Sequence, residues 1–394
     1  MDVLLNEEED ILRRSAREFL EGVSPPSLAR AMESDDLGYS PEVWKQLAAL
    51  DWLGLALPAE YGGQGLGMMF LGIFVSELGR AITPVPFHST MTAALTVATD
   101  GSEQQKSELL PRVVKGDAIL TWAFTEDNPR LVPGVIQMSA AADGDGYVLN
   151  GAKMFVENAN IAEQAVVVAR TAAASAANEG LSVFLVNLRA EGVAQTPLVT
   201  LARDKQSKVT FTNVRVPASA LIGGLNQGWP VAQRMLEKAT VMACALITGA
   251  TRHQLETAVE YAKNRVAFGR PIGTFQSIAH TLADMVIWVD GGELLTNEAL
   301  WRMDMGLLAH IEVSQAKAFC NDKCVAAARF ANMIHGGIAF IAEFDLNLWY
   351  RRIVSWAVRL GTSFDHRAHV ATELLDRPGH VQLGESLYDL APAR

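Results

Sequence analysis

The chain has 394 residues, with 33 lysines and arginines against 44 aspartates and glutamates and a net charge of −11, which argues against a basic nucleic-acid-binding surface. Hydrophobic residues make up 49% and charged ones 20%, so disorder is excluded and the length suits two or three domains around a large core. There is no run of about 18 uncharged apolar residues to predict a membrane span, and the acidic start MDVLLNEEED lacks a signal-peptide pattern. Three cysteines, Cys244, Cys320 and Cys324, read as reduced thiols of a cytoplasmic protein.

In chain order, the apolar period is helical from Asn6 to about Gly116. Asn6 with Glu9 three residues on predicts a helix start, and Ile11, Leu12, Ala16, Phe19 and Leu20 share one stripe. The glycine-rich PAEYGGQGLG (58–67) predicts a loop. Helical texture returns over Phe70 to Leu78 and Ser102 to Val114. From about Ala118 to Asn213 the texture is β. Tyr147-Val-Leu, Asn150-Gly151 and Lys153-Met-Phe-Val read as strand, tight turn and strand. Further short runs lie at Ala165 to Ala169, Leu181 to Leu188 and Lys208 to Val216. Between the first two, TAAASAANEG (171–180) predicts an exposed hairpin loop. After Trp229 the helical period holds to near Leu375. Glu237 to Phe268 and Gln276 to Leu300 are long enough for bundle helices, with Pro271 between them, and the tail after Asp376 reads as a short terminal extension. The fold class expected is α+β in three domains: helical 1–117, β 118–226 and helical 227–394.

Five segments in this order resemble the acyl-CoA dehydrogenase family of flavoproteins: PAEYGGQGLG, WAFTED (122–127), GYVLNGAKMFV (146–156), YAKNRVAFGRPIGTFQSIAHTLADM (261–285) and HGGIAF (335–340). The resemblance implies an N-terminal helical domain, a central β-barrel and a C-terminal four-helix bundle. It also implies FAD, dimers or tetramers, an acyl-CoA substrate and an electron-transfer flavoprotein or similar acceptor. Trp122, Phe124 and Thr125 match the loop whose backbone holds the flavin ring. Phe155 and Val156 match the strand at the ring's other edge, and Glu157 stands where a Thr or Ser usually bonds flavin N5. Arg265, Phe268 and Gln276 match contacts to the FAD of a neighbouring subunit, where a guanidinium suits the pyrophosphate. Gly336 and Gly337 match glycines near the adenine half, Asn332 replaces a common glutamine, and Thr362 follows the base segment. Read without that context, Arg265 is a helix-surface ion pair and Gly336-Gly337 a helix end. Cys320 and Cys324, at i, i+4, lack partners for a metal or redox role and are assigned to packing; no metal site is expected.

The family's chemistry removes an α-proton from an acyl thioester while a hydride passes from the β-carbon to the flavin. It needs a polarised carbonyl and a carboxylate base. The resemblance places that base at residue 360 in most members and at 239 in a minority; here these are Leu360 and Ala239. The backbone N–H of residue 360 still suits polarisation of a thioester. The loop after Glu126 reads DNPRLVPG where a glycine-serine-aspartate element is usual, and a carboxylate at Glu157 disfavours an anionic reduced flavin. No catalytic base is assigned. Glu157, Glu237, Glu343 and Asp345 are the nearest carboxylates; Glu237 should point about 200° away from position 239, and Glu343 and Asp345 lie close enough in sequence to pair with Arg351 or Arg352. Three readings follow. The first is a self-sufficient FAD-dependent acyl-CoA dehydrogenase. The second is the glutamate-less subunit of a heteromeric one acting on a bulky or steroid-derived acyl group. The third is a flavin monooxygenase of the same fold.

Overall fold

The computed structural model describes residues 5–173, 176 and 178–376; the predicted terminal extension lies outside them. Six helices come first: α1 (Glu7–Val23), α2 (Pro26–Ser34), α3 (Pro41–Ala49), α4 (Gly67–Ala81), α5 (Phe87–Asp100) and α6 (Glu103–Val114). Their starts are written in the sequence. Asn6 Oδ1 accepts the Glu9 N–H at 2.9 Å while the Glu9 carboxylate accepts the Asn6 N–H, and Ser102 and Gln105 repeat this box on α6. The glycine-rich stretch before α4 is a loop carrying one short 3₁₀ turn, Ala59–Tyr61.

Eight strands follow: β1 (Leu120–Ala123), β2 (Ser139–Asp143), β3 (Gly146–Glu157), β4 (Gln164–Arg170), β5 (Leu181–Asn187), β6 (Val193–Leu198), β7 (Gln206–Pro217) and β8 (Leu221–Ile222). They form one sheet in the order β6-β7-β3-β2-β4-β5-β8, with β1 added parallel to β4. The two ends of this path are not paired with each other, so the expected barrel is an open, curled sheet. The predicted turn at Asn150-Gly151 does not form: β3 runs through it, and the register with β7 slips between Leu149 and Gly151. The reason is steric. Gly151 sits at φ 147°, and a Cβ there would stand 2.8 Å from Met138 Cγ, so the glycine serves a bulge against the neighbouring chain. The reversal into β3 comes earlier, between paired Asp143 and Gly146. The connection from β4 to β5 is the hairpin expected around residues 171–180, although residues 174, 175 and 177 lie outside the described set.

The last third is helical: α7 (Gly228–Asn264), a two-by-two hairpin of β9 (Val266–Ala267) and β10 (Arg270–Pro271), α8 (Gln276–Asp304), α9 (His310–Phe319), α10 (Val325–His335), α11 (Leu346–Val358) and α12 (Ser363–Ala371). The first bundle helix stops at Asn264, four residues before the predicted end. Arg265 turns extended, and Arg265 to Phe268 enter the hairpin. A single π-helical turn, Cys320–Cys324, joins α9 to α10. The three cysteines are fully buried in one cluster with Ile247, Leu348 and Ile353, as their assignment to packing requires. The 37-residue α7 is the spine of the molecule. It packs on α4 through two glycines: a Cβ on Gly249 would lie 1.8 Å from Ser76 O, and one on Gly79 would lie 2.3 Å from Leu246 O. This contact carries the start of α5 up to the end of β3, where the site forms.

Candidate active site

The matched residues separate into two groups. Trp122, Thr125, Phe155, Glu157, Leu360 and Thr362 line one cavity of about 480 Å³ between the sheet and the loop from α11 to α12. Arg265, Phe268, Gln276, Asn332, Gly336 and Gly337 do not line it. They lie toward another end of the bundle, around β9–β10 and the end of α10, linked by the stacked rings of Tyr261 and His335 at 4.3 Å. There Arg265 is exposed and in no ion pair among the described residues, so its surface-pair reading is not realised. Phe268 is 94% exposed at a positive φ of 55°, a costly conformation for a bulky residue and one that concentrates at functional positions. Gly336 ends α10 at φ 68°. Asn332 is buried, and its Oδ1 has no partner among the described residues.

The cavity group is positioned by buried polar contacts. Lys153, wholly buried on β3, donates to Phe124 O at 3.0 Å and Glu126 Oε1 at 2.8 Å. Burial pulls its ammonium down to about 8 against the opposing pull of Glu126. Glu126 also accepts the N–H groups of Gln137 and Met138, which fixes the loop after β1. Phe124 and Val156 turn their side chains into the core, and Phe155, at φ 56° and half-exposed, faces the cavity. On the opposite wall Leu360 sits at φ 59°. Its carbonyl accepts from His366 Nε2 at 2.7 Å, and the Gly361 carbonyl accepts from Asn321. The buried Lys317 caps the end of α11, donating to Trp356 O at 2.7 Å. Burial keeps His366 down at about 4, so its imidazole is neutral and donates through Nε2.

Neither position expected to hold the base carries a carboxylate, and both Leu360 and Ala239 are buried. Two acids line the cavity: Asp365, which accepts from the Thr362 N–H and hydroxyl, and Glu157. Glu157 is ion-paired with Arg359, and His88 Nδ1 stands 3.0 Å from its other oxygen. Arg359 reaches on to Asp204 at 3.2 Å, and His88 Nε2 lies 2.9 Å from the carbonyl of Ala239. Both neighbours of His88, the Glu157 carboxylate and the Ala239 carbonyl, are acceptors. The network runs Asp204, Arg359, Glu157, His88 and spans the two positions where the resemblance leads one to expect a base. Burial alone would raise the Glu157 carboxyl; Arg359 and His88 outweigh it and hold the group at about 2. A carboxylate this well satisfied is a poor acceptor for an alkyl α-proton.

The other carboxylates named from the sequence lie elsewhere. Glu237 lines a separate cavity of about 240 Å³ with Thr240 and His310, off the face of Ala239, and burial raises its carboxyl. Asp345 pairs with Arg30 at 2.6 Å, while Arg351 and Arg352 both pair with Glu33, so the pairing expected within that segment does not occur. Glu343 is exposed. Sequence reasoning missed His88, Lys153, Lys317 and Asp204. Only Arg359, beside the vacant position 360, carried a local signal.

The cavity fits a planar heterocycle with acceptors at its edge. Its wall carries the Trp122 Nε1 donor, buried and without a partner among the described residues. Residues 6–117, 121–214 and 226–375 match the N-terminal, middle and C-terminal domain families of acyl-CoA dehydrogenases. The chain is 30% identical to a 3-(aryl)acrylate reductase of Clostridium sporogenes over 380 residues, 95% of this chain and 100% of that one. The ChsE4–ChsE5 complex of Mycobacterium tuberculosis contains a chain similar at TM-score 0.88 and 26% identity, covering 96% of this chain and 100% of that one. A variant of the Tcur3481–Tcur3483 steroid ACAD gives 0.84 and 28%, covering 93% and 97%. A glutaryl-CoA dehydrogenase of Mycobacterium smegmatis in complex with FADH2 gives 0.87 and 26%, covering 97% and 98%. Three domain matches in the order of the three structural layers, and a cavity suited to a flavin ring, place this chain in the acyl-CoA dehydrogenase family of FAD-dependent oxidoreductases.

Proposed function

We propose that this chain is the glutamate-less subunit of a heteromeric acyl-CoA dehydrogenase, working with a partner of the same fold that carries the base. The observation behind this reading is the pairing of two vacancies with one neutralised acid: Leu360 and Ala239 at the base positions, and Glu157 locked between Arg359 and His88. The second group of residues keeps its expected types by contrast, apart from Asn332. Arg265, Phe268 and Gln276 stand exposed where a neighbouring subunit's FAD would meet them. When bound, FAD supplies the hydride acceptor. This chain's contribution is to hold it: Trp122, Thr125 and Phe155 at a ring, Arg265 and Gln276 at the phosphates of a partner's cofactor. The substrate class is an acyl-CoA thioester, and a bulky or steroid-derived acyl group is favoured by the likeness to a steroid ACAD. Electrons leave to an electron-transfer flavoprotein or similar acceptor.

The test is anaerobic titration of the purified chain with an acyl-CoA panel, alone and co-expressed with a base-bearing subunit. The chain alone is expected to keep any flavin oxidised, and the pair to bleach. Bleaching by the chain alone would return the reading to a self-sufficient dehydrogenase, and bleaching only with a separate reductase would favour the monooxygenase.

A further inference from the structure

The charged network also divides the space around it. Glu157, Arg359 and Leu360 line both the cavity of about 480 Å³ described above and a second chamber of about 120 Å³ behind it. The pair is thus a shared wall. An acyl chain whose α-carbon lies between position 360 and the flavin has to pass Glu157 and Arg359 to reach that chamber. An apolar methylene cannot replace either partner of a buried ion pair, so parting them leaves both charges uncompensated. The wall is braced from behind: Asp204, which holds Arg359, accepts in turn from Thr200 at 2.6 Å and Gln206 at 2.8 Å. On the other side the Glu157 carbonyl accepts from Thr121 at 2.6 Å. The chamber beyond, of about 120 Å³, carries Glu33, Lys205 and Arg352 among otherwise largely apolar walls.

We propose that the Asp204–Arg359–Glu157–His88 network is a bar that closes the chamber behind this chain's own cavity to acyl chains, making these residues determinants of where the substrate binds. This rests on the half-site reading above: the thioester is then taken only by the site that a base-bearing partner completes. The bar removes a competing, unproductive site that would otherwise sequester acyl-CoA.

The experiment is calorimetric titration of the full-length chain with saturated acyl-CoAs of four to ten carbons, comparing wild type with the double variant Glu157→Thr/Arg359→Met, which removes both charges. Wild type is expected to show no binding, or an affinity that changes less than about twofold across the series. The double variant is expected to gain about fourfold per added methylene over the first carbons that enter. A wild-type affinity already climbing fourfold per methylene overturns the bar, and so does a folded double variant as insensitive as wild type. Should the double variant not fold, the wild-type series decides alone. The two readings fail separately. Length dependence without flavin bleaching removes only the bar, whereas bleaching of the wild-type chain by acyl-CoA removes the half-site reading beneath it.

Discussion

Glu157 shows how one side chain can be both the most conspicuous acid of a site and unfit to act as its base. Its strand position points it at the flavin cavity, but its value as a base is set by what faces it. Arg359 and His88 favour the anion by more than burial opposes it, so the carboxyl is lowered from 4.5 to about 2. A carboxylate with a depressed pKa stabilises the fold above its unfolded value, and that contribution drains away as pH falls toward the folded one. Here the full effect is on the order of 3 kcal/mol, and about 2 kcal/mol of it should be lost between pH 6 and pH 3. Urea unfolding of wild type and Glu157→Gln at the two pH values checks this. The variant cannot titrate at this position, so its stability should fall less than that of wild type by about 2 kcal/mol. Equal losses would mean that Glu157 is not held as an anion by Arg359 and His88.

Helix crossings decide where such residues meet. α5, which carries His88, packs on α7, and α7 in turn touches α4 at Gly249 and Gly79. Alanine is ordinarily better than glycine inside a helix by about 1 kcal/mol. At Gly249 the added methyl would sit 1.8 Å from Ser76 O, a backbone atom that cannot swing away. Overpacking therefore wins, and Gly249→Ala should cost about 1–3 kcal/mol in denaturant unfolding. Gly22→Ala on α1, with nothing within 4 Å of the new methyl, should be neutral or mildly stabilising. Gain at both positions would show helix propensity outweighing the crossing. The same distinction explains which elements the sequence made legible. The starts of α1 and α6 were readable because a capping box is local, complete within four residues. Asn150-Gly151 misled because the same dipeptide serves a turn or a bulge. What decides between them is Met138, on a neighbouring segment that no local pattern identifies.

At the scale of the molecule, the order helices, sheet, helices was legible through the change of apolar period and the motifs along the chain. The charged network was not. His88 and Glu157 are 69 residues apart, and Arg359 and Asp204 155 apart, so their pairing is a product of the fold. The leucine at position 360 is visible in the sequence; the charged groups that meet beside it are not. The distal group carries the remaining consequence. Arg265 is exposed and makes no ion pair among the described residues, so within the isolated chain Arg265→Ala should change unfolding by no more than about 0.5 kcal/mol. In an assembly where this arginine meets the pyrophosphate of a partner's cofactor, the same change removes a charge-assisted hydrogen bond worth about 1.5–3 kcal/mol. FAD should then dissociate from the co-expressed complex roughly 10- to 100-fold more readily, read by flavin fluorescence on dilution, while the isolated chain melts as before. An unchanged flavin affinity would confine Arg265 to the surface of its own subunit. A lowered melting temperature of the chain alone would make its role structural instead.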